Sequence, residues 1–277
     1  MLVFGAGGFS FQYGLTNTFN FAYGAIMTSC AFAAYEAERY GLGIGGAAVI
    51  AAVWGALFSV LINALVYRPF SRRGVGLFAL AIVSASLGTV IQYVLGLLFG
   101  ESFVSLQLNS GHTFRLGSMI YTGTQLLFML LALVFFLGLE LVLKFTKVGK
   151  AIRATAADPF LARVSGIRAE RIVDGTWLVS GAMCGIAGFY LAAELGSFSF
   201  TSGQAILPSI LAAAMIGSVG SARAAFGGAV LVGVLTEVAA AYTNPALDQV
   251  YAFVFLFVLL IVRPQGIMRT SVEQVVA

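Results

Sequence analysis

Apolar residues fall along this chain in long unbroken runs, not in the alternation of a half-buried strand or the narrow stripe of a soluble helix. The runs lie near residues 20–38, 42–67, 75–100, 121–143, 175–195, 205–219, 224–242 and 248–262. Most reach the length of about 20 residues that a helix needs to cross a bilayer. The pattern predicts an all-α fold, a polytopic transmembrane helical bundle of about eight spans. A ninth run, "LVFGAGGFSFQYGL" at residues 2–15, is too short to span and lacks the basic start of a secretory signal peptide. It is expected to be the tail of a helix whose beginning is missing.

The polar interruptions test this layout, because lysine and arginine collect in alternate, cytoplasmic loops of a membrane protein. One side receives Arg68, Arg72 and Arg73, then Lys144, Lys147, Lys150, Arg153, Arg163, Arg168 and Arg171, then Arg223, then Arg263 and Arg269; the other receives Arg39 and Arg115. This bias requires 205–219 and 224–242 to be separate crossings or a tightly broken pair, and it turns the C-terminus toward the cytoplasm.

Composition agrees. The chain of 277 residues is 60% apolar and 9% charged, where soluble domains carry about 25% charged residues, and its mean hydropathy is +0.98. The whole of 1–277 reads as one transmembrane domain, with a cytoplasmic loop at about 144–174 and little mass left for catalysis in water. A net charge of +4 does not point to nucleic acid, since the basic residues sit in short loops whose charge orientation in lipid explains. Cys30 and Cys184 lie in apolar runs without a spacing partner and read as small core hydrophobes. His112, the one histidine, falls in a polar connection, and a metal site needs several donors.

The longest loop contains "GKAIRATAADPFLARVSGIRAERI", residues 149–172. Asp158-Pro159 is a helix start: aspartate caps free amides, and proline is tolerated at the first helical position. Gly166 is a plausible stop. Between them Phe160, Leu161 and Val164 share a face, with Arg163 on another, and Ala151–Ala157 is rich in helix formers. The loop is predicted to be a helix, a kink and a second helix of about two turns. Such an amphipathic helix either lies on the membrane interface or docks in a partner's groove.

Five stretches resemble one family. Gly149-Lys150-Ala151-Ile152-Arg153-Ala154, with Asp158 and Gly166-Ile167, looks like the cytoplasmic coupling loop of the branched-chain amino acid permeases, membrane subunits of ATP-binding cassette importers. "NFAYG" at Asn20 to Gly24, "YRPF" at Tyr67 to Phe70, "GSVGSARAAFGG" at Gly217 to Gly228 and "RPQG" at Arg263 to Gly266 are similar to its other motifs, in the family's order. Tyr23 stands where the family usually has histidine, Ala157 where glutamine is common, and Ser218, Arg223 and Ala224 where the glycine-rich hinge has glycine, proline and glycine. The short N-terminus also departs from the family, whose members usually carry a full helix before the asparagine motif.

The resemblance implies an inner-membrane permease subunit, not an enzyme, importing branched-chain amino acids or similar small solutes. Its implied partners are a second permease, identical or related, two cytoplasmic ATPase subunits that hold ATP and Mg, and an extracytoplasmic substrate-binding protein. It makes the loop the docking element, with Phe160, Leu161 and Val164 as anchors and Lys150, Arg153, Asp158 and Arg163 setting register. Urea or short amides are the alternative substrates. A secondary carrier or channel working alone, or a purely structural subunit, are the alternatives from other classes. No glycine-rich run ending in Gly-Lys-Ser or Gly-Lys-Thr occurs, so the chain carries no ATP-hydrolysing loop of that kind.

The candidate substrate path comes from two places where small or polar residues interrupt apolar runs, Asn20, Tyr23 and Gly24, and Gly217, Ser218, Gly220 and Ser221. Broken helices at membrane depth offer free amides to a carboxylate, so a bulky residue at Gly220 is expected to block transport and leave assembly intact. Glu237, inside a span, is a candidate pathway residue, with no titratable neighbour in sequence. Glu140 is expected to pair with Lys144 four residues on, and Glu194 to lie at the outer edge of its span. Gly41–Gly46, Gly96 with Gly100, and Gly181 with Gly185 read as close helix contacts.

Overall fold

The computed structural model describes residues 1–106, 113–116, 119–244 and 247–262. In chain order the helices are α1 (Leu2–Thr16), α2 (Tyr23–Arg39), α3 (Gly43–Ile62), a π turn (Asn63–Tyr67), α4 (Arg68–Arg72) and α5 (Leu77–Phe99). Then come β1 (Val104–Ser105), a hairpin of β2 (Thr113–Leu116) and β3 (Met119–Thr122), α6 (Gly123–Phe145), α7 (Lys147–Ala157) and α8 (Pro159–Val164). The last part holds α9 (Ala169–Leu195), β4 (Ser197–Phe198), α10 (Ser202–Gly217), α11 (Ala222–Tyr242) and α12 (Asp248–Val262). Five segments are long and apolar enough to cross a membrane: Gly43–Arg72, Leu77–Phe99, Phe128–Phe145, Ala169–Leu195 and Ala222–Tyr242. Shorter apolar helices fill in around them, so the fold is an all-α, polytopic membrane bundle. The "RPQG" motif with Arg263 and Arg269, and His112, lie outside the described residues.

Each apolar run forms a helix, with shifted ends. Residues 20–22 are not helical, and α2 starts at Tyr23 because Asn17, with a left-handed φ of 50°, ends α1 and turns the chain back. The run at 42–67 continues to Arg72 through the π turn. Pro69 has no N–H to give, and its ring crowds the preceding turn, so the helix widens just ahead of it instead of breaking. Two small antiparallel ribbons, not expected from the runs, flank the bundle: β1 with β4 (Val104 opposite Phe198) and β2 with β3 (Thr113 opposite Thr122).

The short first run is not peripheral. In α1 every residue from Phe4 to Gln12 is buried, and the helix packs against α9, α10 and α11. The centre is α9, which α3 and α2 approach at backbone distance. A Cβ on Gly181 would lie 2.3 Å from the Gly55 carbonyl oxygen, on Gly185 2.2 Å from that of Ala51, and on Gly188 2.3 Å from that of Met27. Lipid tails give little hydrophobic drive between helices, so close packing of this kind supplies the attraction. The outer faces of α5, α6 and α12 carry exposed residues such as Phe78, Leu97, Leu133, Leu141 and Phe257, which is the expected dressing of a lipid-facing surface.

Several local expectations change. Gly41, Gly43 and Gly45 have open space where a side chain would go, Gly41 and Gly43 hold positive φ, and Gly46 meets only Leu42 of the same stretch, so this is an exposed turn leading into the start of α3 and not a seam between helices. Gly96 does pack, on the ring of Phe200, whereas Gly100 ends α5 at a φ of 83°. Glu140 pairs with Arg223 of α11 at 3.3 Å, while Lys144 lies over the Phe145 ring. The tertiary contact brings Arg223 within reach of a carboxylate that the helix alone would have offered to Lys144. Cys30 and Cys184, without a partner in sequence spacing, are buried neighbours across the α2 and α9 contact.

Candidate functional site

Two regions carry the polar residues singled out in the sequence: the basic loop and the pair of helix breaks inside the bundle.

The loop is the predicted helix, kink and helix. Thr146 caps α7, its hydroxyl accepting from Gly149 N at 3.1 Å, a start signal that the sequence reading missed. Asp158 ends α7 in extended backbone and caps α8, with Oδ1 accepting from Phe160 N at 2.7 Å and Leu161 N at 3.0 Å, and Pro159 follows at the first helical position. Gly166, at a φ of 83°, closes the turn. On α8 Ala162 is buried toward the body, and Phe160 (72% exposed), Leu161 (60%) and Val164 (72%) face outward. The capped, proline-started turn thus holds an apolar cluster outward in a fixed conformation instead of collapsing it onto the body.

The charged residues of the loop divide. Lys150 and Arg163 are exposed. Arg153 folds back, its guanidinium donating to the Leu143 carbonyl at the end of α6. A side chain on Gly149 would collide with that same carbonyl. Arg153 thus ties α7 to α6, and the loop is seated against α1 and α9 as well. Removing the Asp158 cap costs about 1 kcal/mol in comparable helices. In an Asp158→Ala variant, hydrogen exchange at the Phe160 and Leu161 amides is expected to speed up about fivefold, with Asp158→Asn near the parent rate; unchanged exchange in the alanine variant would show that the cap does not hold α8.

The first break, Asn20 to Gly24, sits halfway along α9: Tyr23 donates its hydroxyl to the Ser180 carbonyl at 3.4 Å, and Cys184 Sγ lies 3.5 Å from the Tyr23 carbonyl. Asn20 and Tyr23 are each 1% exposed. Asn20 Oδ1 accepts from Tyr67 Oη at 2.7 Å and from Ala22 N at 3.1 Å, and its Nδ2 donates to Gln12 Oε1 at 3.4 Å. Ser180 donates to the Gly8 carbonyl at 2.8 Å and lies 3.4 Å from Gln12 Oε1. Gly24 is required by its neighbour, since a Cβ there would lie 2.6 Å from the Gly203 carbonyl of α10.

The second break, Gly217 to Ser221, is a hairpin between α10 and α11. Ser218 (φ 105°) and Gly220 (φ 97°) take left-handed backbone, Ser221 caps α11 at Ala224 N, and the two helices touch at backbone distance, a Cβ on Gly217 meeting the Ala224 carbonyl and one on Gly228 meeting Gly217. Gly220 N donates to Ser10 Oγ at 3.0 Å, and Ser10 in turn donates to the Ser221 carbonyl at 3.4 Å. The tight approach belongs to Gly14, whose added Cβ would lie 2.3 Å from the Gly220 oxygen; at Gly220 itself the nearest atom would be 3.6 Å away, and the obstacle is its φ.

Both breaks therefore converge on α1. Several amides at the breaks, expected to be free, are occupied: Phe21 N by Ser84 Oγ at 3.1 Å, Ala22 N by Asn20 and Gly220 N by Ser10. Ser10, Gln12 and Gly14 are the residues sequence reasoning missed, and a serine and a glutamine inside an apolar run were the available signal. Glu237 stands apart from both breaks. It lines a cavity of ≈ 670 Å³ together with Tyr190, Glu194, Ser209 and Gln249, so the fold supplies the titratable neighbours that its own helix does not. Among the described residues, no three His, Cys, Asp or Glu side chains are gathered to hold a metal ion.

A kinked, outward-facing helix pair on a bundle with two internal breaks is what the resemblance to the permeases anticipated, and comparison with known proteins bears on it directly. The family described as "Branched-chain amino acid transport system / permease component" matches residues 1–262. The high-affinity branched-chain amino acid transport system permease protein LivH of Escherichia coli (strain K12) is 26% identical over 284 residues, covering 97% of this chain and 91% of that protein. BraD of Pseudomonas aeruginosa, with the same description, is 27% identical over 284 residues, covering 97% and 92%. A probable branched-chain amino acid transport permease protein LivH of Methanocaldococcus jannaschii is 27% identical over 284 residues, covering 96% and 88%. No solved structure matches the chain. With residues 1–262 matched, a range that takes in every described helix, the chain belongs to the branched-chain amino acid transport system permease family.

Proposed function

We propose that this chain is the membrane-spanning subunit of an ATP-driven importer that takes branched-chain amino acids into the cytoplasm. A permease component is not itself an enzyme; the energy comes from two partner ATPase subunits that hold ATP and Mg. A second permease, identical or related, completes the path, and an extracytoplasmic binding protein delivers the substrate. The observation that carries this reading is the apolar face of α8, Phe160, Leu161 and Val164, presented outward by the Asp158 cap. Lys150 and Arg163 flank it as exposed cations that set register against a partner, while Asp158 acts by capping and Arg153 by tying α7 to α6.

Under this reading the loop, with Arg68, Arg72, Arg223 and the C-terminus, faces the cytoplasm of the inner membrane, and the β2–β3 hairpin faces outward. Asn20, Tyr23 and Gly24, and Gly217, Ser218, Gly220 and Ser221, are the parts of the path that rearrange during transport, and Glu237 faces the solute from its cavity. Occupied amides suit moving joints better than a preformed carboxylate clamp.

The test is to extract the tagged chain gently from its native membrane, identify what accompanies it by mass spectrometry, and reconstitute the complex in vesicles with ATP on the ATPase side. ATPase subunits should co-purify, and leucine, isoleucine and valine should accumulate only with ATP and the binding protein. Uptake without ATP would instead indicate a carrier acting alone. Uptake of urea with no competition from leucine would move the substrate to the amide class.

A further inference from the structure

The last residue of the π turn, Tyr67, and the first of α4, Arg68, are neighbours that face different partners. Tyr67 is buried, its ring 4.7 Å from that of Trp177 and its hydroxyl on Asn20. Arg68, the next residue, grips both carboxylate oxygens of Asp174 on α9. Asn63, the first residue of the π turn, donates to Asp174 Oδ1 at 2.9 Å. One turn earlier on α9, Glu170 pairs with Arg72 at 2.8 Å. The start of α9 and the segment from the π turn through α4 are thus joined by five side chains, directly beyond the turn at Gly166.

We infer that Tyr67, with the Asn63, Arg68 and Asp174 cluster, forms a set of positioning residues that ties displacement of the α7–α8 loop to the helix break at Asn20 to Gly24. The loop passes any movement to the first turns of α9. Asp174 passes it to the π turn, which is held at its first residue, Asn63, and just past its last, at Arg68, and moves as one piece. The Tyr67 hydroxyl then acts on the one oxygen, Asn20 Oδ1, that also caps Ala22 N at the start of α2. A π turn suits this task because it can add or lose its extra residue, which rotates Tyr67 and Arg68 together. The Gln12 and Trp177 side-chain N–H groups beside this network are buried without an acceptor, as expected where a polar network has a second arrangement that satisfies them better.

The inference rests on the importer reading, and the experiment separates the two. The complete complex in vesicles is assayed for leucine uptake and ATP hydrolysis together, with Tyr67→Phe, which keeps the ring on Trp177, Asp174→Asn, and the double variant. Leucine imported per ATP hydrolysed is expected to fall at least about tenfold in each single variant, within the range of ordinary coupling between sites. ATPase co-purification and melting temperature should stay near the parent, and the double variant should be no worse than the worse single one, because both act on one linkage. Should Asp174→Asn accumulate poorly, Arg68→Gln breaks the same ion pair from the other side and is expected to show the same drop. An unchanged ratio, a proportional fall of uptake and hydrolysis, or multiplying effects would overturn the linkage while leaving the importer reading intact. A parent chain that brings no ATPase and takes up no leucine would overturn both.

Discussion

Phe160→Asp is expected to strip the ATPase subunits from the purified chain, lowering their affinity by at least about thirtyfold, the 2 kcal/mol or more that marks an interface hot spot. The fold itself should not notice. Phe160 is 72% exposed, and substitutions at such positions usually change stability by less than about 0.5 kcal/mol. In the complex the same position would be desolvated beside Leu161 and Val164, and a carboxylate there would have no compensating partner. Arg163→Ala is the control: a rim charge should weaken the complex mildly and mainly at low salt. Quantitative co-purification of the ATPase with Phe160→Asp, at parent levels of membrane insertion, would remove α8 as the anchor.

A second large effect is expected at the seam between α3 and α9. Gly181→Leu places a side chain where the Gly55 carbonyl lies 2.3 Å from the first added carbon and the Ser59 side chain 2.5 Å away. Backbone cannot swing aside as a flexible side chain can, so the two helices must separate, and Gly185 against Ala51 must open with them. Overpacking in a tight core costs about 1–3 kcal/mol and occasionally more, and here the same displacement also removes the close backbone contacts that hold membrane helices together. Membrane yield and melting temperature in detergent are expected to collapse. Gly233→Leu, on a face with open space, should be tolerated. A stable Gly181→Leu protein with normal yield would mean that this contact is not what holds α3 on α9.

These expectations draw on unequal parts of the sequence. The loop was legible almost in full, because a cap, a proline and a glycine act over three or four residues: Asp158, Pro159 and Gly166 do in space what their order in the chain implies. The spans were legible because any apolar run of sufficient length in lipid must satisfy its own backbone, and a helix is the local way to do so. Family motifs such as "NFAYG" marked the breaks, yet they did not say what the breaks touch.

What the chain determines by itself, then, is everything set by local hydrogen bonding and by partition between water and lipid: the helices, the grouping of basic residues in alternate loops, the kinked loop and its outward apolar residues. Tertiary structure decided the rest. Only packing makes the short run of α1 the hub where Ser10, Gln12 and Gly14 meet both breaks, sends Glu140 to Arg223 instead of Lys144, brings Cys30 beside Cys184, and joins Tyr67 to Asn20 across 47 residues of sequence. The physical reason is that an unpaired polar group inside a membrane takes the nearest acceptor in space. Proximity between helices is set by which small residues let their backbones meet, and periodicity along one helix does not contain that information.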